Sequence, residues 1–197
     1  MTSGFTRARR RGVHARFDVA EASLIVSLAG QVIELLRDGV PDPQVTGAGE
    51  DPLDELVGMS GPVTRPEDPV LRRLLPDGYS DEPGSEDANA EFRRFTERGL
   101  RDDKVANAEA VIASLQVAGA DAAAEDDPVD VELDQAGVQA WLRCLTDLRL
   151  AIGTRLGVAD GDESHWESLP DDDQAKAMHD VYDWLGFLQE SLVRSLR

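Results

Sequence analysis

Residues 137–156, GVQAWLRCLTDLRLAIGTRL, constrain the fold more than any other stretch, because their apolar positions recur at the spacing of an α-helix. The residues on one face of that helix are Val138, Trp141, Leu142, Leu145, Leu148, Ile152 and Leu156. Leu150 and Ala151 broaden the apolar face, so neighbours should cover the helix on more than one side. We therefore expect the core to form around this single central helix.

Arg149 lies four residues after Leu145, on or beside the apolar face of the predicted central helix. A buried charge without a partner is strongly destabilising, so this guanidinium should be paired with a carboxylate or with carbonyl groups at a helix end. We predict that Arg149 is a structural anchor of the fold.

The other apolar patterns predict a mostly α-helical fold, a helical bundle with a small N-terminal β element. Residues 5–17 alternate with period two, which indicates a β-hairpin or an edge strand. A helix should follow to about Asp38, opened by a capping box of Asp18 and Glu21. Its expected buried stripe consists of Ile25, Leu28, Val32, Leu35 and Leu36, and Gly39 and Pro41 should end it.

Two further helices are expected, over about 88–118 and 172–196. The first should point Phe92, Phe95, Val105, Ala108, Val111, Ile112 and Leu115 inward, with a break or kink at Gly99. The second should bury Val181, Trp184, Leu185, Leu188, Leu192 and Leu196, with Ser168 and Asp171 as its cap. The broad apolar faces of the central helix and of the C-terminal helix, with Trp141, Trp184 and Phe187, predict a homodimer.

The chain of 197 residues reads as one domain, 1–197, with an acidic linker at about 38–91. That linker holds fourteen acidic residues against three arginines, and only two short helical turns, 53–57 and 69–75, are expected within it. Residues 119–131 and 159–173 are expected to form further acidic loops.

The composition excludes several classes of protein. A formal net charge of −19 disfavours general binding to nucleic acid or anionic lipid, so DNA contact should be weak, local or delivered by a partner. The sequence has no run of 18 apolar residues and no secretory signal, which predicts a cytoplasmic protein with no membrane partner. A single cysteine, Cys144, excludes an intramolecular disulfide and a thiolate zinc cage.

Catalytic and metal-binding motifs are not apparent in the sequence. Nucleophile elbows, Walker loops and dinucleotide-binding glycine patterns are absent, and the acidic runs do not match a calcium-binding loop. His179 and Asp183 are spaced i,i+4, but a solvated helix pair explains them more simply than a metal does. We expect no metal, no cofactor and no enzymatic activity.

A basic cluster near the N-terminus is the largest charge reversal in the chain. Its candidate contact residues for nucleic acid or an acidic partner are Arg7, Arg9, Arg10, Arg11 and Arg16. The favoured alternative is that these arginines neutralise acidic groups of the same chain. A second basic face, formed by Arg93, Arg94, Arg98, Arg101 and Lys104, alternates with acids and is predicted to be an ordinary salt-bridged helix face.

Five blocks of sequence together form a recognisable pattern: ARFDVAEASLI, DPVLRRLLPDGYSDEP, EFRRFTERGLRDDKVANA, WLRCLTDLRLAIGTRLG and YDWLGFLQESLVRSL. The pattern covers almost the whole chain except the linkers. It resembles a family of actinobacterial proteins, defined by a domain of unknown function and encoded beside the adaptor ClpS, whose members include oxidative-stress regulators called AosR.

The resemblance implies a cytoplasmic, non-enzymatic transcriptional regulator of the oxidative-stress response, tied to cysteine biosynthesis. Its implied partner is an extracytoplasmic-function sigma factor or another polymerase component. The alternative is an adaptor or scaffold linked to ClpS-dependent proteolysis, which gene neighbourhood in the family suggests.

Some members of the family use a redox-active cysteine pair, and this chain departs from them. Cys144 has no second cysteine, so it is a disfavoured redox candidate. A bridge between two chains would need an exposed thiol, which its place on the apolar flank argues against.

Overall fold

The computed structural model describes residues 4–8, 12–38, 64–79, 84–121, 124 and 127–197. Within them it has three strands, β1 Thr6–Arg7, β2 Val13–Phe17 and β3 Val129–Leu133. Its helices are α1 Val19–Arg37, α2 Pro69–Leu74, α3 Glu86–Val117, α4 Gln135–Leu156, α5 Glu163–Ser168 and α6 Gln174–Ser195. The mostly helical fold class predicted from the sequence is confirmed.

The strands form one antiparallel sheet in the order β1-β2-β3. The predicted N-terminal hairpin is confirmed by the pairing of β1 with β2. The prediction of a loop through residue 131 is wrong, since β3 begins at Val129 and pairs with β2 along all five residues. Alternation in VDVEL buries Val129, Val131 and Leu133 and leaves Asp130 and Glu132 in solvent.

The central helix predicted from the sequence is α4, which packs against α2, α3, α6, α1 and the sheet. Trp141 on α4 is fully buried and stacks on Phe17, with ring centroids 5.7 Å apart and planes at 6°. Phe5 meets the same indole edge-on at 5.2 Å, and the indole N–H donates to Ser114 Oγ at 3.0 Å. The sheet therefore covers the N-terminal half of α4 with aromatic side chains.

The capping box at α1 is confirmed: Glu21 N–H donates to Asp18 Oδ1 at 2.8 Å, and Asp18 N–H donates to Glu21 Oε2 at 2.9 Å. By length and composition alone α1 could cross a membrane, a test that core helices also pass. In this fold α1 packs against α3 and α4, and its buried residues are Ala22, Ile25, Leu28, Ala29, Val32, Ile33 and Leu36.

α3 differs from its prediction in two ways. The helix is continuous through Gly99, and Phe95, expected inside, is 56% exposed. The buried stripe of its first half is instead polar, formed by Asn89, Arg93, Glu97 and Arg101 at i,i+4 spacing. Apolar periodicity misplaced this face because the side chains that turn inward are polar: Glu97 and Arg101 pair with each other, and Arg93 pairs with Asp77 outside the helix.

The C-terminal helix also begins differently from its prediction. Asp173 caps α6 by accepting from Ala175 N–H at 2.7 Å, whereas Ser168 and Asp171 do not form the predicted cap. The prediction of a loop over residues 159–173 is wrong in part, because the short helix α5 lies within that stretch and ends at Ser168. The burial of the α6 leucines 185, 188 and 192 is confirmed, but Leu196 is 51% exposed.

Part of the predicted acidic linker belongs to the folded core. The helical turn expected at 69–75 is confirmed as α2, which buries Val70, Leu71 and Leu74 against α4. Asp68 caps this helix, accepting from the N–H groups of Val70 at 2.7 Å and Leu71 at 3.2 Å. The turn predicted at 53–57 and the stop residues Gly39 and Pro41 lie outside the described residues.

Candidate functional site

An open groove of about 850 Å³ lies between α1 and α4, and we call it the α1–α4 groove. α1 contributes Leu28, Gln31, Val32, Glu34, Leu35 and Arg37, followed by Asp38; α4 contributes Leu148, Ala151, Ile152 and Arg155. Val70 of α2 and Met178 of α6 complete the lining. Concave, mainly apolar clefts of this size are the surfaces on which proteins usually bind a ligand or partner.

The two long helices present matched stripes to the groove. On α1, the lining positions 28, 31, 32 and 35 follow the i, i+3, i+4, i+7 pattern of a helix-packing face, and positions 148, 151, 152 and 155 of α4 repeat it. Each stripe extends about 10 Å at 1.5 Å per residue. Leu35, Ala151 and Met178 remain half-buried, so apolar surface stays accessible in the groove.

The rim of the groove holds cations that are already paired. Arg37 Nη2 lies 2.6 Å from Glu109 of α3, and Arg155 Nη2 lies 2.6 Å from Asp68. Burial alone would raise the pKa of Asp68, but hydrogen bonds from Arg155 and from the N–H groups that it caps lower that pKa below the ordinary carboxyl value.

The rim carboxylates of Glu34 and Asp38 are exposed, and among the described residues neither side chain has a partner. Both helices that frame the groove also end beside it, α1 at Arg37 and α4 at Leu156. Helix C-termini carry partial negative charge. The groove therefore has an apolar floor and a rim on which negative charge is in excess.

Arg149 lies at the α4–α6 contact, half-buried. It donates to Gln189 Oε1 at 3.0 Å and to the Tyr182 hydroxyl at 3.3 Å, and its guanidinium lies 4.8 Å from the Tyr182 ring centroid. A side chain at Gly186 would approach the guanidinium carbon within 3.3 Å, so glycine makes room for it. In the described part of the chain its partners are neutral, in place of the predicted carboxylate or helix-end carbonyls.

Cys144 is buried on α4, where it is 3% exposed. Burial raises the pKa of the Cys144 thiol to about 12, with a further contribution from the negative charge of Asp147. Asp147 is itself buried, and burial raises its pKa despite the ion pair that its Oδ1 makes with Lys104 Nζ at 2.6 Å. A thiol in this environment stays protonated and reacts slowly.

The N-terminal basic cluster is only partly within the described residues. Arg7 is exposed on β1, and Arg9, Arg10 and Arg11 lie outside the described residues. Arg16 donates to both oxygens of Asp130 on β3, at 2.8 and 3.2 Å, and His14 Nε2 lies 3.1 Å from the same carboxylate. The hydrogen bond to Asp130 raises the pKa of Arg16. Arg16 thus neutralises an acid of its own chain.

Two basic residues of α3, Arg93 and Arg101, form buried ion pairs that the sequence pattern only partly indicated. Arg101 donates through two nitrogens to Glu97 Oε1, at 2.9 and 2.7 Å, and through a third to the Leu36 carbonyl oxygen at 2.6 Å. Arg93 pairs with Asp77, which Arg65 also contacts at 3.2 Å. The i,i+4 spacing of Glu97 and Arg101 was the available signal, but it does not reveal burial.

The described residues contain no group of three or more histidine, cysteine or acidic side chains that could hold a metal ion. The α1–α4 groove was not predicted from the sequence. The apolar residues that α1 and α4 contribute to it were predicted to lie on the buried faces of separate helices, and only the relative placement of those helices leaves the space between them. The chemistry that the groove offers is apolar contact with an electrostatic preference for cations.

Comparison with known proteins extends over nearly the whole chain. The family described as a domain of unknown function, DUF2017, matches residues 2–196. The chain is 35% identical over 184 residues to the "Oxidative stress regulator AosR" of Mycobacterium bovis, covering 88% of this chain and 77% of that protein. A relative with the same description in Mycobacterium tuberculosis matches at the same identity and coverage. No solved structure matches the chain. The chain therefore belongs to the DUF2017 family and is AosR-like.

Proposed function

We propose that this protein is a non-enzymatic regulator of the oxidative-stress response that acts in the cytoplasm through protein–protein contacts. The single observation that carries the proposal of a protein contact is the α1–α4 groove, with its paired helical stripes and accessible apolar lining. The role in oxidative stress is supported by relatives that are named as oxidative-stress regulators and share 35% identity over 88% of this chain.

The proposed partner is a sigma factor or another component of RNA polymerase, which would supply most of the DNA affinity. The net charge of −19 supports this division, because a strongly acidic protein is repelled by the phosphate backbone. The ion pair of Arg16 with Asp130 supports the same division, because the charge of this predicted contact arginine is neutralised within the chain.

Under this proposal the chain passes on a redox signal received elsewhere. Cys144 is buried, the pKa of its thiol is raised to about 12, and the sequence has no second cysteine to form a disulfide with it. Because the thiolate is the reactive form, peroxide should oxidise this side chain slowly.

The test is genetic and uses a matched pair of variants. The gene is deleted and complemented with wild type, with Ala151→Trp, which fills the groove, or with Ala110→Trp, at an exposed position of α3. Survival and induced transcripts are measured after peroxide challenge. Wild type and Ala110→Trp should restore the response and Ala151→Trp should not. A deletion that leaves survival and transcripts unchanged would overturn the regulatory role.

Purification of the tagged protein from peroxide-treated cells distinguishes the two partner classes. Recovery of a sigma factor or polymerase subunits with wild type, and their loss with Ala151→Trp, is expected. Recovery of ClpS or Clp protease subunits instead would favour the adaptor function linked to proteolysis.

We also propose a homodimer. Its support is the exposed apolar surface near the end of α6, where Phe187 is 44%, Val193 41% and Leu196 51% exposed. Trp141, which was part of the sequence-based argument for a dimer, does not contribute to this surface, because the sheet and α3 cover it within the chain. Light scattering at tens of micromolar should give twice the chain mass, and a monomer mass would contradict the proposal.

A further inference from the structure

We propose that the α1–α4 groove binds a short amphipathic helix of a partner protein, with an apolar stripe facing the groove floor and lysine or arginine residues flanking that stripe. The inference rests on the proposed function, because it names the chemistry of the partner at the same groove.

The shape of the groove favours a helix. Each wall is a helical stripe of i, i+3, i+4, i+7 positions, the pattern with which a helix normally packs against another helix. The stripes extend about 10 Å, close to two helical turns. Helices that dock into an apolar groove present anchors at the same spacing, so a partner helix would match both walls at once.

The charge of the rim predicts the charge of the partner's flanking side chains. Arg37 and Arg155 are held in ion pairs with Glu109 and Asp68, so their charges are already neutralised within the chain. Glu34 and Asp38 have no side-chain partner in the described part of the chain, and their carboxylates are exposed. Cationic side chains beside the partner's apolar stripe would pair with these two carboxylates.

The helix ends beside the groove act in the same direction. α1 ends at Arg37 and α4 at Leu156, so the partial negative charge of both C-termini lies beside the groove. The net charge of −19 extends the preference to longer range and should speed the encounter with a basic partner at low salt.

The probe for the test is a synthetic helix of about 15 residues, because shorter isolated helices are marginal in water. It has leucines along one helical stripe and lysines elsewhere. Two comparison peptides accompany it: one of identical composition in which the leucines are scrambled off the stripe, and one with glutamate in place of lysine. Binding of each labelled peptide to the full chain is measured by fluorescence anisotropy at low and high salt.

The protein variants form two matched pairs. Ala151→Trp fills the groove, and Ala110→Trp adds the same side chain at an exposed site on α3. Glu34→Lys with Asp38→Lys reverses the rim, and Glu91→Lys with Asp102→Lys makes the same change in net charge at exposed positions of α3. Circular dichroism checks that each variant is folded. If Ala151→Trp does not fold, the rim reversal and its control still test the inference.

The leucine–lysine stripe peptide should bind wild type at least about tenfold more tightly than either comparison peptide. Ala151→Trp and the rim reversal should each weaken it by about tenfold or more, and both controls should leave it within about twofold. Equal binding of the scrambled peptide, equal losses in the control variants, or tighter binding of the glutamate peptide would overturn the inference.

A synthetic peptide of residues 39–63 is a further competitor, because this stretch follows Asp38 directly in the chain. If that acidic peptide displaces the leucine–lysine probe at equal concentration, the preference for a basic partner is wrong. These outcomes are independent of the peroxide experiment: a normal stress phenotype with no stripe-peptide binding rejects the inference alone.

Discussion

The two halves of α4 differ in how the chain covers them. Around Trp141 the sheet and α3 enclose the helix, and the indole is fully buried with both a ring stack and a hydrogen bond. Around Ala151 the neighbours are α1, α2 and α6, which leave an open groove with half-buried apolar side chains. The same apolar periodicity therefore lies in a sealed core at one end and along an open groove at the other.

The difference shows that apolar breadth on a helix is ambiguous. A broad face indicates that more than one neighbour is needed, but it does not say whether the neighbour comes from the same chain. In the sealed half the neighbours are aromatic residues of β2 and the segment before β1. In the open half we propose that the neighbour is a partner.

The largest expected contrast is between substitutions in the two halves of α4. Trp141→Ala should lower the free energy of unfolding by about 3–5 kcal/mol, because it removes a fully buried aromatic side chain and leaves a cavity. Ala151→Trp should change it by less than about 1 kcal/mol, since the added ring enters open space. Urea denaturation of both variants measures the contrast, and similar losses would show that the groove is packed shut.

The same contrast should hold for ion pairs. Arg101→Ala should cost about 3–5 kcal/mol, because it leaves the Glu97 carboxylate, which is 1% exposed, without its cation. Arg155→Ala at the groove rim should cost at most about 1 kcal/mol, since that side chain is 54% exposed. Replacing both members of the buried pair, with Arg101→Met and Glu97→Leu, should recover part of the loss. A stable Arg101→Ala protein would contradict the burial of the pair.

Arg149→Ala should have an intermediate effect, a loss of about 1–3 kcal/mol. Its partners Tyr182 and Gln189 are neutral, so the substitution leaves no uncompensated charge behind. Arg149→Lys should lose part of that amount, because an ammonium does not reproduce the planar fork over the tyrosine ring. Thermal melts of both variants against wild type test the order. A melting temperature unchanged by Arg149→Ala would refute the structural anchor.

Asp147, which is buried beside Cys144, and Asp68, at the groove rim, should contribute to stability with opposite pH dependence. The folded pKa of Asp147 is raised by burial, so its contribution to stability falls as the pH rises from about 3.9, the ordinary value, through the raised one. The folded pKa of Asp68 is lowered, so its contribution is present above about 3.9 and is lost as the pH falls through the lowered value.

Urea unfolding between about pH 3 and pH 7 should therefore separate two variants. Relative to wild type, Asp147→Asn should gain stability as the pH rises, and Asp68→Asn should lose it. Slopes of the same sign for both would contradict the assigned environments.

A small effect is expected at Cys144. In the folded protein the thiol should not react with an aromatic disulfide reagent at neutral pH, whereas it should react fully in urea. Cys144→Ser should lower stability by roughly 1 kcal/mol and leave partner binding unchanged with or without peroxide. A peroxide-induced dimer linked through Cys144, with altered partner affinity, would make the chain a one-cysteine redox sensor.

Local pattern was sufficient for much of the fold. The periodicity around Trp141 predicted α4, the Asp18 and Glu21 pair predicted the start of α1, and alternation predicted the N-terminal hairpin. These signals depend on contacts between neighbours in sequence, such as a cap or an amphipathic face, so they are visible without the rest of the chain. The burial of Cys144 also followed from its place on the apolar flank.

Only the tertiary structure decided what depends on distant residues. β3 is five residues in an acidic region and gains its ladder from β2, more than a hundred residues away. The inward face of α3 is set by Asp77 and by the end of α1, which give Arg93 and Arg101 their partners. The α1–α4 groove lies between two helices whose apolar faces were each predicted as core, and Val70 of α2 and Met178 of α6 complete its lining. The periodicity of the sequence determines which face of a helix is apolar, and the tertiary structure determines which elements pack against that face.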